Sequence, residues 1–544
     1  MGPEQRKDPP AFRTEHASEE LSSEPGIPTV RRFFTMFKTE HGAEKAVAVQ
    51  ELGRLESLNF PAESEEMVQE AQKLIDIFSK AVIMTGGGNE TIGRRPHFLI
   101  CGGFVRDMLL GKTPKDIDFA TNLSYDAAKE TLATCGEELH IKETGSRFKV
   151  LRVRFPDTGH EYEIATFRQD GAYEDGRRPT EVTPVRNPGP DADRRDLTVN
   201  ALFYNPRTGR IIDYVGGLDD IRQQKLRFVG NPEERLAEDH MRALRYVRFL
   251  LKTGFSEDAQ AREAICAMAP KVATLAGESV YEEMTKTFAS GASTAEALEL
   301  YRSYGLLEHL LPEVAMLQKC EQGPPYHMEG DAFLHTKLVC AGLPSDASSD
   351  LIWAAIMHDV GKPATRQEIG TEEERRVSFL DHENVSVQLT RERLKALRLS
   401  NERITKILWI IAEHQRVFSF PTMREGKAAA FAASPHFEDL LMLMRADIGG
   451  SYPANPQVAA ENTAIVERSF KRLEEFRKYQ ETHGSAEDEV MRAVNGNIVR
   501  QLYLKLAGIV PEGKVIGMLK STVHENIRER HILDPDKQCL CWKT

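Results

Sequence analysis

The apolar positions of the chain fall into regimes of different spacing. Up to about residue 50 they are scattered among Glu, Ser and Pro with weak periodicity, which predicts a mostly disordered extension. Residues 67–82 repeat at helical spacing, and Gly86-Gly87-Gly88 marks a hinge or loop. Between about residues 96 and 214 the apolar residues come in strand-length runs: 98–101, 116–120, 148–154 and 161–166. One short amphipathic helix, Phe104 to Leu110, interrupts them. From Leu218 to about Pro312 the spacing turns helical, and the composition shifts again near Gln318. Beyond that shift, Leu351 to Met357 reads as a buried helix, 390–406 as a basic helix with a solvated face, and 461–480 as a long charged helix.

Composition adds limits. A chain of 544 residues exceeds a single core and predicts three or four domains. With 41% hydrophobic and 28% charged residues it reads as globular, and no apolar run is long enough to cross a bilayer. We therefore expect a cytoplasmic protein with no membrane partner. The net charge of −12 argues against indiscriminate nucleic-acid binding and leaves room for a local basic surface. Seven scattered cysteines fit reduced thiols, and Cys539 and Cys541 lack neighbours that would complete a zinc set.

The richest chemistry begins at Leu99-Ile100-Cys101-Gly102-Gly103. A strand running into two glycines lets a phosphate approach the backbone, and the first turn of the following helix favours an anion. A second strand carries Asp116 and Asp118, two apart and so on one face. Side-by-side carboxylates repel unless a cation lies between them, which marks a divalent-metal site. Glu163, or less favoured Glu161, is a third candidate carboxylate on its own strand. A basic loop follows from 169 to 194, with Arg177, Arg178 and Arg186, suited to closing on a triphosphate or nucleic-acid backbone. Arg194-Arg195-Asp196 then sets two forked donors beside an acceptor at an expected helix start, with a structural salt-bridge cluster as the competing account. Asp239 and Arg242, three apart on an expected helix with Arg245 three further on, have the groups to read a base edge or to form a plain ion pair.

Four ordered pieces carry a resemblance: Gly102-Gly103-x-x-Arg106-Asp107, Asp116-x-Asp118, Arg194-Arg195-Asp196-x-Thr198-x-Asn200-Ala201 and Glu238-Asp239-x-x-Arg242-x-x-Arg245. The set resembles the tRNA nucleotidyltransferase and bacterial poly(A) polymerase family, the class II branch of the polymerase-beta-like nucleotidyltransferases. The resemblance implies an α+β chain, with a mixed-sheet nucleotidyltransferase head followed by all-α neck, HD and tail domains. Expected limits are an extension over 1–60, a leading helix and hinge over 61–96, a catalytic domain over 97–215, a neck over 216–315, an HD domain over 316–450 and a tail over 451–544. It implies Asp116 and Asp118 as Mg2+ ligands with Glu163 as a catalytic carboxylate. Gly102, Gly103, Arg106, Arg195, Asp196 and Asn200 would bind the nucleotide. Asp239, Arg242 and Arg245 would select CTP or ATP. Glu278-Ser279-Val280 departs from the family's Glu-Arg-Ile in the neck.

A second series, His335, His358-Asp359, His382, His414 and Asp447, offers imidazoles and carboxylates, the usual ligands of transition metals. It resembles the HD phosphohydrolase superfamily. That likeness implies an all-helical domain in which His335, His358, Asp359 and Asp447 hold one metal, and His382 and His414 a second, Ni2+ or Mn2+ being candidates. Its substrates would be cyclic phosphates or phosphates at RNA ends. The tail segment 506–517 resembles a short helix-turn unit of HD-bearing relatives.

The leading expectation is CCA addition to the 3′ end of tRNA, with tRNA or other RNA 3′ ends, CTP and ATP as partners. Poly(A) synthesis is the alternative; the stretch Gly145-Ser146-Arg147-Phe148 matches polyadenylating relatives only in part. A third reading is an HD phosphohydrolase with an inactive transferase domain. The oligomeric state is left open by the sequence.

Overall fold

The computed structural model describes residues 19–20, 31–38, 44–55, 58, 60–81, 83–85, 92–94, 96–134, 139–144, 150–173, 176–289, 291–323, 327–370 and 376–493. The glycine triplet at 86–88, the Gly145–Phe148 stretch and the tail unit at 506–517 lie outside them. The described residues fall into two compact units that divide between Leu275 and Ala276. None of their helices is long and apolar enough to cross a membrane.

The first unit is organised by one mixed sheet. Its strand order is Glu19–Glu20, Arg31–Lys38, Glu44–Glu51, Arg210–Asp213, Phe203–Asn205, Phe98–Cys101, Asp118–Thr121, Glu161–Thr166, Val150–Arg154 and His140–Thr144. Asp118–Thr121 and Glu161–Thr166 run parallel, and the other neighbours pair antiparallel. Strand Phe98–Cys101 reads as an unbroken apolar run because both faces are covered. Phe98 and Ile100 enter one core, beneath the helices Ala62–Lys80 and Tyr125–Ala133, where Phe98 stacks on Phe78 at 4.0 Å and on Phe119 at 4.5 Å. Leu99 and Cys101 enter a second core with Ala120, Phe167 and Phe203. The second face carries the chemistry described below.

Several expectations need correction. Within the extension over 1–60, expected to be mostly disordered, Glu44–Glu51 pairs with Arg210–Asp213 and extends the sheet. Val47 and Ala48 are buried in opposite cores, so neither helical nor alternating spacing stands out there. Asp116 does not lie on a strand. The ladder ends at Asp118, opposite Cys101, because beyond Cys101 the partner chain turns into the helix Gly103–Leu109. The stretch from 169 to 194 is not one loop: it holds a hairpin, Arg168–Asp170 with Val182–Pro184, and a short helix, Pro188–Asp193. The neck expected over 216–315 is divided between the two units. Its first part stays with the head because Thr198 and Val229 bond backbone to backbone with Arg227 and Asp196.

The second unit is mainly helical, but it is not all-α. Glu321–Gly323 pairs with His327–Asp331, and Gln367–Ile369 with Arg376–Ser378, as short hairpins. The basic stretch 390–406 is broken into two helices by Arg398, which has φ +64°. Its cations hold neighbouring helices rather than facing solvent alone: Arg393 pairs with Glu313 at 2.8 Å and Arg403 with Asp350 at 2.6 Å.

One buried carboxylate closes the sheet's central part. Asp213 is 2% exposed. It accepts from the backbone N–H groups of Val215, Gly216, Gly217 and Leu218 at 2.9 to 3.1 Å, and so starts the helix Gly217–Gln223. Gly217 is required there, because a Cβ would stand 2.3 Å from Thr198 O. Replacing Asp213 by Ala strands these donors and is expected to cost about 3 kcal/mol. Urea unfolding of the variant checks this, and an unchanged midpoint contradicts it.

Candidate active site and metal cluster

Asp118 opens its strand on the second face of the sheet. Register places Glu163 beside it on the parallel neighbour, and Arg152 beside Glu163 on the next strand. Ile117 points the other way into the first core, so Asp116 and Asp118 flank it on the chemical side although Asp116 has no ladder partner. The glycines lie against this pair. A Cβ on Gly102 would stand 4.0 Å from Asp118 Oδ2, and one on Gly103 would stand 3.7 Å from Asp116 Oδ1. Gly102 also has φ +74°, a conformation that suits glycine.

Burial first, and then the charges of Asp116 and Glu163, push the Asp118 carboxyl up to about 7. The nearby guanidiniums of Arg195 and Arg152 only partly offset this. Such residual repulsion between oxygen ligands fits a hard divalent cation. Glu163 is itself held by Arg152 at 2.8 Å and is 44% exposed, so it borders the pair rather than facing the cavity.

That cavity, about 500 Å³, is lined by Gly102, Gly103, Asp116, Asp118, Asp196, Asn200, Asp239, Phe249 and seven cations. The cations are Arg106, Arg194, Arg195, Arg242, Arg245, Arg248 and Lys252. Six of them pair with a carboxylate, and Arg248 lies 4.3 Å over the Phe249 ring. Asp191 takes Arg194 at 2.8 Å and Arg195 at 3.1 Å; burial would raise its carboxyl, but the two guanidiniums hold it below the usual range. Arg195 also lies 5.0 Å over the Phe203 ring. Arg245 binds Asp196 at 2.6 Å and outweighs burial there, bringing that carboxyl down to about 2. Asn200 bridges Arg106 and Asp196. Arg106 and Lys252 share Asp107, at 2.7 and 3.2 Å. The competing salt-bridge account of the Arg194-Arg195-Asp196 cluster is thus partly right: the acids fix the guanidiniums that line the cavity. The segment continues as a single turn, Thr198–Asn200, not a long helix.

Asp239 and Arg242 both line the cavity, but not from one helix. Asp239 sits in extended backbone between the helices Pro232–Glu238 and Met241–Thr253. Its carboxylate accepts from Met241 N at 3.0 Å and from Arg177 through both oxygens at 3.1 Å. Arg242 donates to Glu238 at 2.6 Å and to the carbonyls of Arg235 and Arg194 at 3.0 Å. Arg248, Phe249, Lys252 and Asp191 were missed from the sequence. The basic stripe was visible as Arg245, Arg248 and Lys252 at helical spacing, and Asp191 stands three and four residues before Arg194 and Arg195, an ion-pair spacing that could have found it.

In the second unit the expected metal residues converge. His335 Nε2 lies 3.0 Å from Asp447 Oδ1 and 3.6 Å from Asp359 Oδ2. His358 Nε2 lies 3.1 Å from Asp359 Oδ2, and His382 Nε2 lies 3.2 Å from Asp359 Oδ1 and 3.1 Å from His414 Nε2. His335, His358 and Asp359 form one group of metal-ligand spacing, Asp359, His382 and His414 a second, and His327, Glu329 and His335 a third. His358, His382 and His414 each donate Nδ1–H to the backbone carbonyl three residues back, at 2.6 to 2.8 Å, which turns Nε2 into the cluster. Burial, with His358 and His382 nearby, drives His414 down to about 3, keeping it a neutral ligand. His358 Nε2 and Asp359 Oδ2, both buried, face each other within the first of these groups. Lys362, also missed, reaches Asp359 at 2.6 Å.

Comparison with known proteins finds family matches over both units. Residues 98–227 match the family described as Poly A polymerase head domain, 254–317 the probable RNA and SrmB-binding site of polymerase A, and 330–442 the HD domain. The chain is 40% identical over 209 residues to the CCA-adding enzyme of Geobacillus thermodenitrificans, covering 38% of this chain and 49% of that one. It is 32% identical over 288 residues to the CCA-adding enzyme of Lactobacillus delbrueckii subsp. bulgaricus, covering 52% of this chain and 69% of that one. The alignment thus spans about half the length of the first relative and about two thirds of the second. In fold it is similar to the crystal structure of the Bacillus stearothermophilus CCA-adding enzyme in complex with CTP, with a TM-score of 0.58 at 23% identity, covering 85% of this chain and 93% of that one. With the head match and the Lactobacillus relative in agreement, the chain belongs to the family of CCA-adding enzymes and poly(A) polymerases.

Proposed function

We propose that the chain adds CMP and AMP to the 3′ end of tRNA without a nucleic-acid template, and that its second unit hydrolyses phosphoesters at RNA ends or in cyclic nucleotides. The observation that carries the first part is the pair Asp116 and Asp118, set over the Gly102–Gly103 shelf at the edge of a cavity lined by seven cations.

Asp116 and Asp118 would hold Mg2+, with Glu163 beside them. Bound there, magnesium supplies Lewis acidity toward the attacking hydroxyl and the leaving pyrophosphate. The chain's own part is positioning and charge. Arg106, Arg194 and Arg195 take the triphosphate, braced by Asp107, Asn200 and Asp191. Asp196 lies toward the sugar. The terminal RNA hydroxyl attacks the α-phosphorus, the bond from that phosphorus to the pyrophosphate oxygen breaks, and the hydroxyl proton is lost. Asp239 as acceptor and Arg242 as donor would select C or A, assisted by Arg245.

In the second unit His335, His358, Asp359 and Asp447 would hold one metal, and His382 and His414 a second, Ni2+ or Mn2+ suiting so many imidazoles. Metal there supplies an activated water. Removal of a 3′-phosphate, or opening of a 2′,3′-cyclic phosphate to the 2′-phosphate, leaves the free 3′-hydroxyl that the head extends.

The first test incubates tRNA lacking its end with each labelled triphosphate. CMP incorporation followed by AMP is expected; long runs of A would favour poly(A) synthesis instead. Asp116→Asn is expected to lose addition by roughly 1,000-fold while tRNA retention on a filter changes little. Full activity in that variant removes the metal assignment.

Asp118 gives a pH-dependent test. Its carboxyl lies near 7 in the folded chain against an ordinary 3.8, so the folded state holds the proton more tightly than the unfolded state. The stability it lends is full below about pH 4 and is lost as pH rises through about 7. With metal chelated, Asp118→Asn should therefore melt higher than the parent at about pH 8, the gap closing toward about pH 4. Added Mg2+ should raise the parent's melting temperature more than the variant's. Equal melting of the two proteins at high pH contradicts the repulsion.

For the second unit, hydrolysis of 2′,3′-cyclic nucleotides to nucleoside monophosphates with added Mn2+ or Ni2+ is expected, and His358→Ala should reduce product release at least about 100-fold. Undiminished release from the variant points to another site.

A further inference from the structure

Glu329 has no place among the ligand positions proposed above, yet its carboxylate is 1% exposed on a short surface hairpin, next to Met328 at 56%. Its Oε1 lies 2.7 Å from His327 Nδ1, 3.1 Å from His335 Nδ1 and 3.4 Å from Gln322 Nε2, and its Oε2 accepts from Tyr452 N at 3.0 Å.

The contact with His335 repairs an irregularity in the cluster. The other three imidazoles are oriented by the carbonyl three residues back, namely Ala355, Phe379 and Ile411. For His335 that carbonyl belongs to Ala332, and it is taken by the Thr336 hydroxyl at 2.8 Å. His335 Nδ1 lies instead between Glu329 at 3.1 Å and Gly450 O at 3.3 Å. A second path leaves Glu329 through Gln322, whose Oε1 accepts from Lys362 at 2.6 Å; Lys362 reaches Asp359 at 2.6 Å. Gln322 and Lys362 are both buried, so the whole path is shielded from water.

We propose that Glu329 is the positioning residue of the metal centre. It holds His335 in the form protonated at Nδ1, so that Nε2 faces Asp359 and Asp447, and it steadies Asp359 through Gln322 and Lys362. A carboxylate behind a ligand imidazole fixes the ring and raises its basicity. The rival is a third cation among His327, Glu329 and His335, whose ligand atoms lie within 4.8 Å of one another. It would strip His335 of the Nδ1 proton while Nε2 serves the first metal, which a neutral imidazole cannot satisfy.

This inference rests on the second unit's binding metal as proposed above. The test is Mn2+ titration of the metal-stripped full chain, read by equilibrium dialysis. Glu329→Gln is expected to raise the Mn2+ Kd roughly 10- to 100-fold while the metal-free melting temperature holds. Activity of the variant should recover at saturating Mn2+, moving the metal requirement rather than kcat. Glu329→Asp, which keeps the charge on a shorter arm, is expected to fall between and serves if the Gln variant fails to fold. His327→Ala should leave the bound stoichiometry unchanged. Parent-like affinity in both Glu329 variants overturns the inference and leaves the metal site standing. Loss of one Mn2+ equivalent in His327→Ala overturns it in favour of the third cation. A parent chain that binds neither Mn2+ nor Ni2+ overturns the metal site and the inference with it.

Discussion

Two carboxylates held where neither can move away from the other set the terms for the first unit. Asp118 is fixed by the last rung of a ladder, opposite Cys101, and Asp116 follows one buried residue earlier. Because Ile117 is anchored in the core, the backbone cannot rotate to separate the acids without withdrawing an apolar side chain. The glycines on the facing element remove the side chains that would screen them. The cost is visible in Asp118, whose carboxyl is pushed up to about 7 by burial and by its acidic neighbours. A fold that retains such repulsion has placed a cation-shaped demand beside its cavity.

The cations around that cavity obey the opposite constraint. Guanidiniums drawn out of water need acceptors: Asp191 for Arg194 and Arg195 and Asp107 for Arg106 lie behind the lining, and Asp196 takes Arg245 within it. Each acid consumes part of a planar fork and fixes its plane. What remains of each fork lines the cavity, already oriented, and needs little rearrangement when an anion arrives. The same arrangement explains why the net charge of −12 does not conflict with a polyphosphate site. The lining sets seven cations against four carboxylates, so its local charge is opposite in sign to that of the chain.

The sequence made the central strands and the acid pair legible because their signals are local. Phe98–Cys101 is an apolar run, and Asp116-x-Asp118 is a spacing. Features that depend on partners far along the chain were not legible. Asp196 meets Arg245 only across 49 residues, and Asp239 meets Arg177 only across 62. Glu44–Glu51 escaped because its buried residues face two different cores. The hairpin at His327–Asp331 escaped for the reverse reason. Its alternation is real but inverted in polarity: Met328 is exposed, while His327 and Glu329 turn toward the metal cluster. A search for alternating apolar residues finds the wrong face.

The two sites also differ in the kind of cation their atoms ask for. The head offers carboxylate oxygens alone, partly open to a cavity, the donor set of a hard ion that keeps several waters and shares them with phosphates. The second unit offers four imidazoles around one shared carboxylate, Asp359, in a buried setting that suits softer divalent metals. Neutral imidazoles bring no charge to offset a cation, so neutralisation there would fall to Asp359 and Asp447, with Glu329 behind His335. That makes the orientation of Asp359 the sensitive point of the cluster. It explains why a buried lysine and a buried glutamine, costly groups to enclose, are found ranged behind it.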